Sequence, residues 1–81
     1  MRKVITATGK ELECSYITQI DDPPRIYIRI RNASVGEVTA IFSDPKETAV
    51  IKCGDMHISR FTRLVSVSPE AGLVRVTLGK E

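Results

Sequence analysis

Residues 25–31 read Arg-Ile-Tyr-Ile-Arg-Ile-Arg and alternate without a fault between aliphatic and cationic or aromatic positions. Side chains of a strand point to opposite faces with period two. Ile26, Ile28 and Ile30 therefore share one face, and Arg25, Tyr27, Arg29 and Arg31 share the other. The isoleucine face calls for a core. The opposite face is a cationic stripe with an aromatic ring set into it.

The same pattern, less regular, predicts strands on both sides of this one. Residues 4–7 and 11–18 form a hairpin around Thr8-Gly9-Lys10, with Leu12, Cys14 and Tyr16 on one face of the second strand. Asp21-Asp22-Pro23-Pro24 interrupts the alternation, because proline supplies no backbone donor and holds the preceding residue away from helical angles. After the Arg/Ile strand, Ser34-Val35-Gly36-Glu37 has the form of a capping box. Val35, Val38, Ile41 and Phe42 then recur at helical spacing, and Ser43-Asp44-Pro45 supplies the stop. The predicted helix is about nine residues long, too short to stand without tertiary packing.

Residues 49–53 predict a fourth strand, Gly54-Asp55 a two-residue turn, and residues 56–60 a fifth strand. The chain continues as strand to Val67, but its phase slips. Ile58 and Leu64 share one parity, and Phe61, Val65 and Val67 share the other. A bulge or bend over residues 60–63 restores the phase. Residues 68–72 form a turn, and Val74, Val76 and Leu78 alternate in a last strand. The fold class is α+β: a curved, mainly antiparallel sheet or partial barrel of about six strands, with one short helix between strands 3 and 4. That helix lies across the sheet or plugs the open end of the barrel. Either way it sets Val35, Val38, Ile41 and Phe42 against Ile26, Ile28, Ile30, Val74, Val76 and Leu78.

Length bounds this picture. The chain has 81 residues, enough for a single domain over 1–81 with little volume for an enclosed active site. Lys and Arg number 12 and Asp and Glu 10, for a net charge of +2. The sum is too small to imply a nucleic-acid partner, but its distribution matters. Arginines fall in predicted strands, whereas Asp21, Asp22, Asp44, Glu47, Asp55 and Glu70 fall at turns. Cys14 and Cys53 lack CxxC spacing, and no apolar run reaches signal-peptide or membrane-spanning length. The expectation is a protein with reduced thiols, cytoplasmic or part of a virion, with no membrane partner.

Candidate chemistry is sparse. Cys53, Asp55 and His57 are metal-ligand types, yet three such residues within five positions across a tight turn point apart, and no second cluster completes a zinc site. Cys14 or Cys53 with His57 has nothing to orient the imidazole as a base. The glycines form no phosphate-binding loop. No enzymatic activity, cofactor or metal is expected. The Arg25, Tyr27, Arg29 and Arg31 face is the candidate partner site, since arginine and tyrosine are both enriched at interface anchors. The bland alternative is a solvated face whose arginines pair with Glu11, Glu13 or other neighbours. A single-stranded nucleic acid is a further candidate on the same face, though one aromatic is a short stacking platform. The strand at 49–53 carries one charge, and at a sheet edge it would invite strand addition or self-association.

Three segments also carry a resemblance: Val4-Ile5-Thr6-Ala7-Thr8-Gly9-Lys10-Glu11-Leu12-Glu13-Cys14, Val38-Thr39-Ala40-Ile41-Phe42-Ser43-Asp44-Pro45-Lys46-Glu47-Thr48, and Phe61-Thr62-Arg63-Leu64-Val65-Ser66-Val67 with the final hairpin strand. The chain resembles small prophage-encoded accessory proteins of Gram-positive gut bacteria, of the tail or baseplate module. The resemblance implies a phage-encoded protein and assigns no functional residue. Together these readings lead to a non-enzymatic protein–protein interaction module of virion assembly or host interaction, with self-association into a homo-oligomer as one form of partner. The alternatives are a single-strand nucleic-acid binder and an inhibitor of a host defence protein.

Overall fold

The computed structural model describes residues 2–80. In chain order these form β1 (Arg2–Ile5), β2 (Glu11–Asp21), β3 (Pro24–Arg31), α1 (Val35–Phe42), α2 (Pro45–Thr48), β4 (Val50–Cys53), β5 (Met56–Ser59), β6 (Arg63–Glu70) and β7 (Leu73–Gly79). All seven strands belong to one antiparallel sheet in the order β5-β4-β1-β2-β3-β7-β6.

The coarse expectation of an antiparallel α+β fold holds, and the finer count changes. The stretch from Met56 to Val67 is not one strand with a kink. It is two strands on opposite edges of the sheet, joined by residues 60–62, with Arg60 in the left-handed region at φ 73°. This link constrains the whole architecture. Four Cα steps from Ser59 to Arg63 reach at most about 14 Å, whereas six strand spacings of a flat sheet would part its edges by about 29 Å. The sheet is therefore rolled until its edges approach. It stays open, because no ladder joins β5 to β6 among the described residues.

The two helices pack together and onto this sheet. α1 packs against β6 and β7, and α2 packs against β4 and α1. Val38 and Phe42 are fully buried, as are Ile26, Ile28, Ile30, Ile51, Val76 and Leu78. Each such side chain stabilises the fold by about 1.5–3 kcal/mol relative to exposure. Ser34 caps α1: its Oγ accepts from the Glu37 amide at 3.1 Å. The reciprocal bond differs from the expected one, since the Ser34 hydroxyl itself donates to the Glu37 carboxylate at 3.2 Å. α1 ends at Phe42, as the Ser43-Asp44-Pro45 stop predicts, and Pro45 then has a second role. It opens α2 at its first position, where a missing donor costs nothing, with Asp44 Oδ1 accepting from the Lys46 amide at 2.9 Å.

Two further boundaries move. β2 runs on to Asp21 and meets Pro24 directly across a tight turn. β6 likewise runs through Pro69 to Glu70, leaving Ala71 and Gly72, both at positive φ, as a two-residue hairpin turn. β4 is not an edge strand: it lies between β5 and β1. The true edges are poor templates for strand addition. β5 is four residues long, and β6 carries a register shift between Leu64 and Ser66 together with Pro69. Short strands, bulges and prolines are the usual means of blunting an edge.

Candidate functional site

The outer face of β2, β3 and β7 is built from cross-strand rows. Direct pairing sets Tyr16, Arg29, Arg75 and Ser68 in one row, and Thr18, Tyr27, Thr77 and Ser66 in the next. Tyr16 reaches this face because β2 changes register between Cys14 and Tyr16. Uninterrupted alternation would have placed Tyr16 beside Leu12 and Cys14 on the inside. Instead the shift turns Ile17 into the core at 6% exposure and leaves Tyr16 outside at 42%. The two tyrosines of the chain thus become diagonal neighbours on one surface, a separation of roughly 7–8 Å that long aromatic side chains bridge.

Tyr16, Thr18, Tyr27, Arg29 and Arg75 line an open cleft of about 210 Å³. The Arg29 guanidinium carbon stands 5.1 Å from the Tyr16 ring centroid, within the range of a cation–π contact. Glu70 from β6 reaches the rim. Its carboxylate lies 3.8 Å from Arg29 Nη2 and 3.4 Å from Arg75 Nε, with both arginine side chains 41–51% exposed. Exposed pairs of this kind contribute about 0–1 kcal/mol, and here two cations share one anion. The bland expectation that neighbouring acids pair with the arginines is met by Glu70, whereas Glu11 and Glu13 are engaged elsewhere. Lys3 Nζ lies 3.3 Å from Glu11, and the Asn32 amide donates to Glu13.

The four residues proposed from sequence separate in space. Arg29 and Tyr27 line the cleft. Arg31 lines a second depression of about 570 Å³ with Arg2, Cys14, Ser15 and Tyr16. Arg25 lines neither cavity; its guanidinium donates to the Pro24 carbonyl at 2.9 Å. Tyr16, Thr18 and Arg75 are site residues that alternation alone misses. The one signal for Tyr16 is the adjacent pair Tyr16-Ile17, two bulky residues of opposite parity in a strand that can bury only one. The close neighbourhood of Arg63 and Gly79 at the far rim had no signal. A Cβ at Gly79 would stand 2.9 Å from Arg63 Nη2 and 3.1 Å from Val65 Cγ2, so the absence of a side chain is what lets Arg63 lie across the sheet there.

A second polar cluster sits at the junction of α2 with the β1–β2 hairpin. Glu47 is 4% exposed. Its carboxylate accepts from the Thr6 hydroxyl at 2.8 Å and from the Thr8 hydroxyl, and it pairs with Lys10 Nζ at 2.8 Å. The Ala7 amide donates to the Glu47 carbonyl at 2.9 Å. The Lys10 ammonium first, and then the two hydroxyls, hold the Glu47 carboxyl at about 2, while Glu47 in turn raises the Lys10 ammonium. Every donor aimed at this carboxylate comes from the fold itself. The cluster fastens α2 to the sheet and leaves no vacancy for a ligand.

The remaining candidates do not converge. Cys53 is buried and Asp55 is exposed beside it at one depression, while His57 is exposed and outside its lining. No group of three or more metal-ligand residues converges among the described residues. Cys14 and Cys53 are both free and buried. Burial pushes the Cys14 thiol up, and its Sγ donates to the Tyr16 carbonyl at 3.1 Å. Among the described residues no helix is long and apolar enough to cross a membrane.

No protein-family model matches the chain, and no curated protein or solved structure matches it.

Proposed function

We propose that this protein is a non-catalytic interaction module that docks an acidic partner across the outer face of β2, β3 and β7. The observation that carries the reading is the cleft in which Tyr16, Tyr27, Arg29 and Arg75 converge with Glu70 as their shared counter-ion. Tyrosine and arginine are the residue types that concentrate binding energy at interfaces, and here cross-strand pairing presets their positions. Blunted edges argue for recognition through the face and against strand addition. The resemblance to prophage accessory proteins supports a place in virion assembly or in contact with a host component.

Charge reversal tests the reading. Arg29→Glu with Arg31→Glu changes partly or fully exposed positions, so the melting temperature should move by only about 2–4 °C. The variant should elute from immobilised heparin at clearly lower salt than the wild-type protein. Equal elution of two equally folded proteins would reject this face as an anion-recognising site.

A further inference from the structure

Resting on that reading of the outer face, we infer that the partner is a single-stranded nucleic acid whose bases stack on Tyr16 and Tyr27 while its phosphates meet Arg29, Arg31 and Arg75. Three features of the face favour this occupant over an acidic protein. First, the register shift in β2 supplies the second aromatic, and single-strand binders combine a basic groove with successive stacking platforms. Second, the concavity is not one pocket but two that share a wall. Tyr16 borders both the cleft of Tyr27, Arg29 and Arg75 and the depression of Arg2 and Arg31. A ring standing between two cation-lined hollows suits a strand that crosses it, one nucleotide on each side. Third, the centre of the face is arginine, threonine and tyrosine. The large exposed aliphatics Ile20, Val35 and Val65 line neither hollow, so the apolar centre typical of protein interfaces is missing. Glu70, shared by Arg29 and Arg75, holds the two guanidinium groups in the absence of phosphate and is displaced when a phosphate arrives.

The chain offers a clean probe. It has two tyrosines and no tryptophan, and both tyrosines line the proposed site. Intrinsic fluorescence therefore reports on this face alone. Titration with a short oligothymidylate should quench it. Three phosphate contacts give a salt slope of about −2, so affinity should fall roughly twentyfold between 50 and 200 mM salt. Tyr16→Leu, at an exposed position, should weaken binding by about tenfold, the scale of one base–aromatic stack, while keeping that slope. Arg75→Ala should lower the slope by about 0.7. An abasic oligomer of equal length should bind weakly and leave the fluorescence unquenched. If polyglutamate binds as tightly as oligothymidylate and Tyr16→Leu changes neither, the partner is an acidic protein surface. The nucleic-acid inference then fails, and the interaction-module reading survives provided Arg29→Glu with Arg31→Glu abolishes that binding. If no anion binds at 50 mM salt and heparin elution is unaffected by the charge reversal, both fall together.

Discussion

Glu47 and Glu70 each sit beside cations, and their surroundings give them opposite uses. Glu47 is enclosed, with three side-chain donors converging on one carboxylate from the hairpin it fastens. Glu70 stands at a wetted rim, 37% exposed, with two guanidinium groups at 3.4 and 3.8 Å. In the first region the anion is over-supplied with partners. In the second, the cations are under-supplied. A saturated, enclosed charge stabilises the fold and has no capacity left for a ligand. An unsaturated, hydrated cluster contributes little to stability and keeps its capacity for an incoming anion. The contrast separates a charge spent on holding the fold, at the α2 junction, from charges left open to an incoming anion, on the sheet's outer face.

Replacing Glu47 is the sharpest way to break this comparison. Glu47→Ala leaves two hydroxyls and an ammonium without their acceptor and loosens α2 from the sheet. We expect the melting temperature to fall by about 10 °C or more, with heparin elution of the folded fraction unchanged. A melting temperature within about 2 °C of wild type would mean that the cluster is ornamental.

Acid titration gives the next largest effect. The folded Glu47 carboxyl lies at about 2, below its ordinary value of 4.5. Its stabilisation is therefore complete above about pH 4.5 and is lost progressively as the pH falls toward 2. Glu47→Gln has no such group. The stability gap between wild type and Glu47→Gln, measured by urea denaturation, should stay constant from pH 7 to about 5 and then narrow as the pH falls. A gap independent of pH down to 2.5 would contradict the ionic origin. At the alkaline end the sign reverses, since the raised Lys10 ammonium contributes below its unfolded value and is lost as the pH rises through the folded one.

Glu70→Gln should give the smallest change in stability and a change in binding of the opposite direction. Removing one exposed carboxylate shifts the melting temperature by at most a few degrees. It also frees Arg29 and Arg75 from their internal anion, so heparin elution should move to higher salt. Elution at lower salt would make Glu70 a positioning residue for the arginines and not a competitor.

Much of this architecture was legible from local pattern. The alternation of residues 25–31 places Ile26, Ile28 and Ile30 at 0% exposure. Gly54-Asp55 makes the turn assigned to it, and Ser34 caps α1. What local pattern could not convey is where strands lie relative to one another. Over residues 59–63, Ser-Arg-Phe-Thr-Arg, the phase slip marks a break, but with no glycine or proline there nothing signals that the chain leaves one edge of the sheet for the other. Glu47 reads as a turn acid because its donors, Thr6, Thr8 and Lys10, are some forty positions away in sequence. The candidate site was half legible for the same reason. Arg29 and Tyr27 follow from alternation in one strand. Arg75 required the β3–β7 pairing, and Tyr16 required a phase change in β2 that only burial of Ile17 explains.

The position of β7 has a consequence for biosynthesis. β7 is translated after every other strand of the sheet, yet it is inserted between β3 and β6 and brings Arg75 to the cleft. A ribosome-bound chain that has emerged only as far as β6 already displays the arginines of β3, but they are flanked on the β2 side alone, and no β6–β7 hairpin exists to present Glu70. Assembly of the cleft therefore waits on β7, because neither Arg75 nor the β6–β7 hairpin is in place before it.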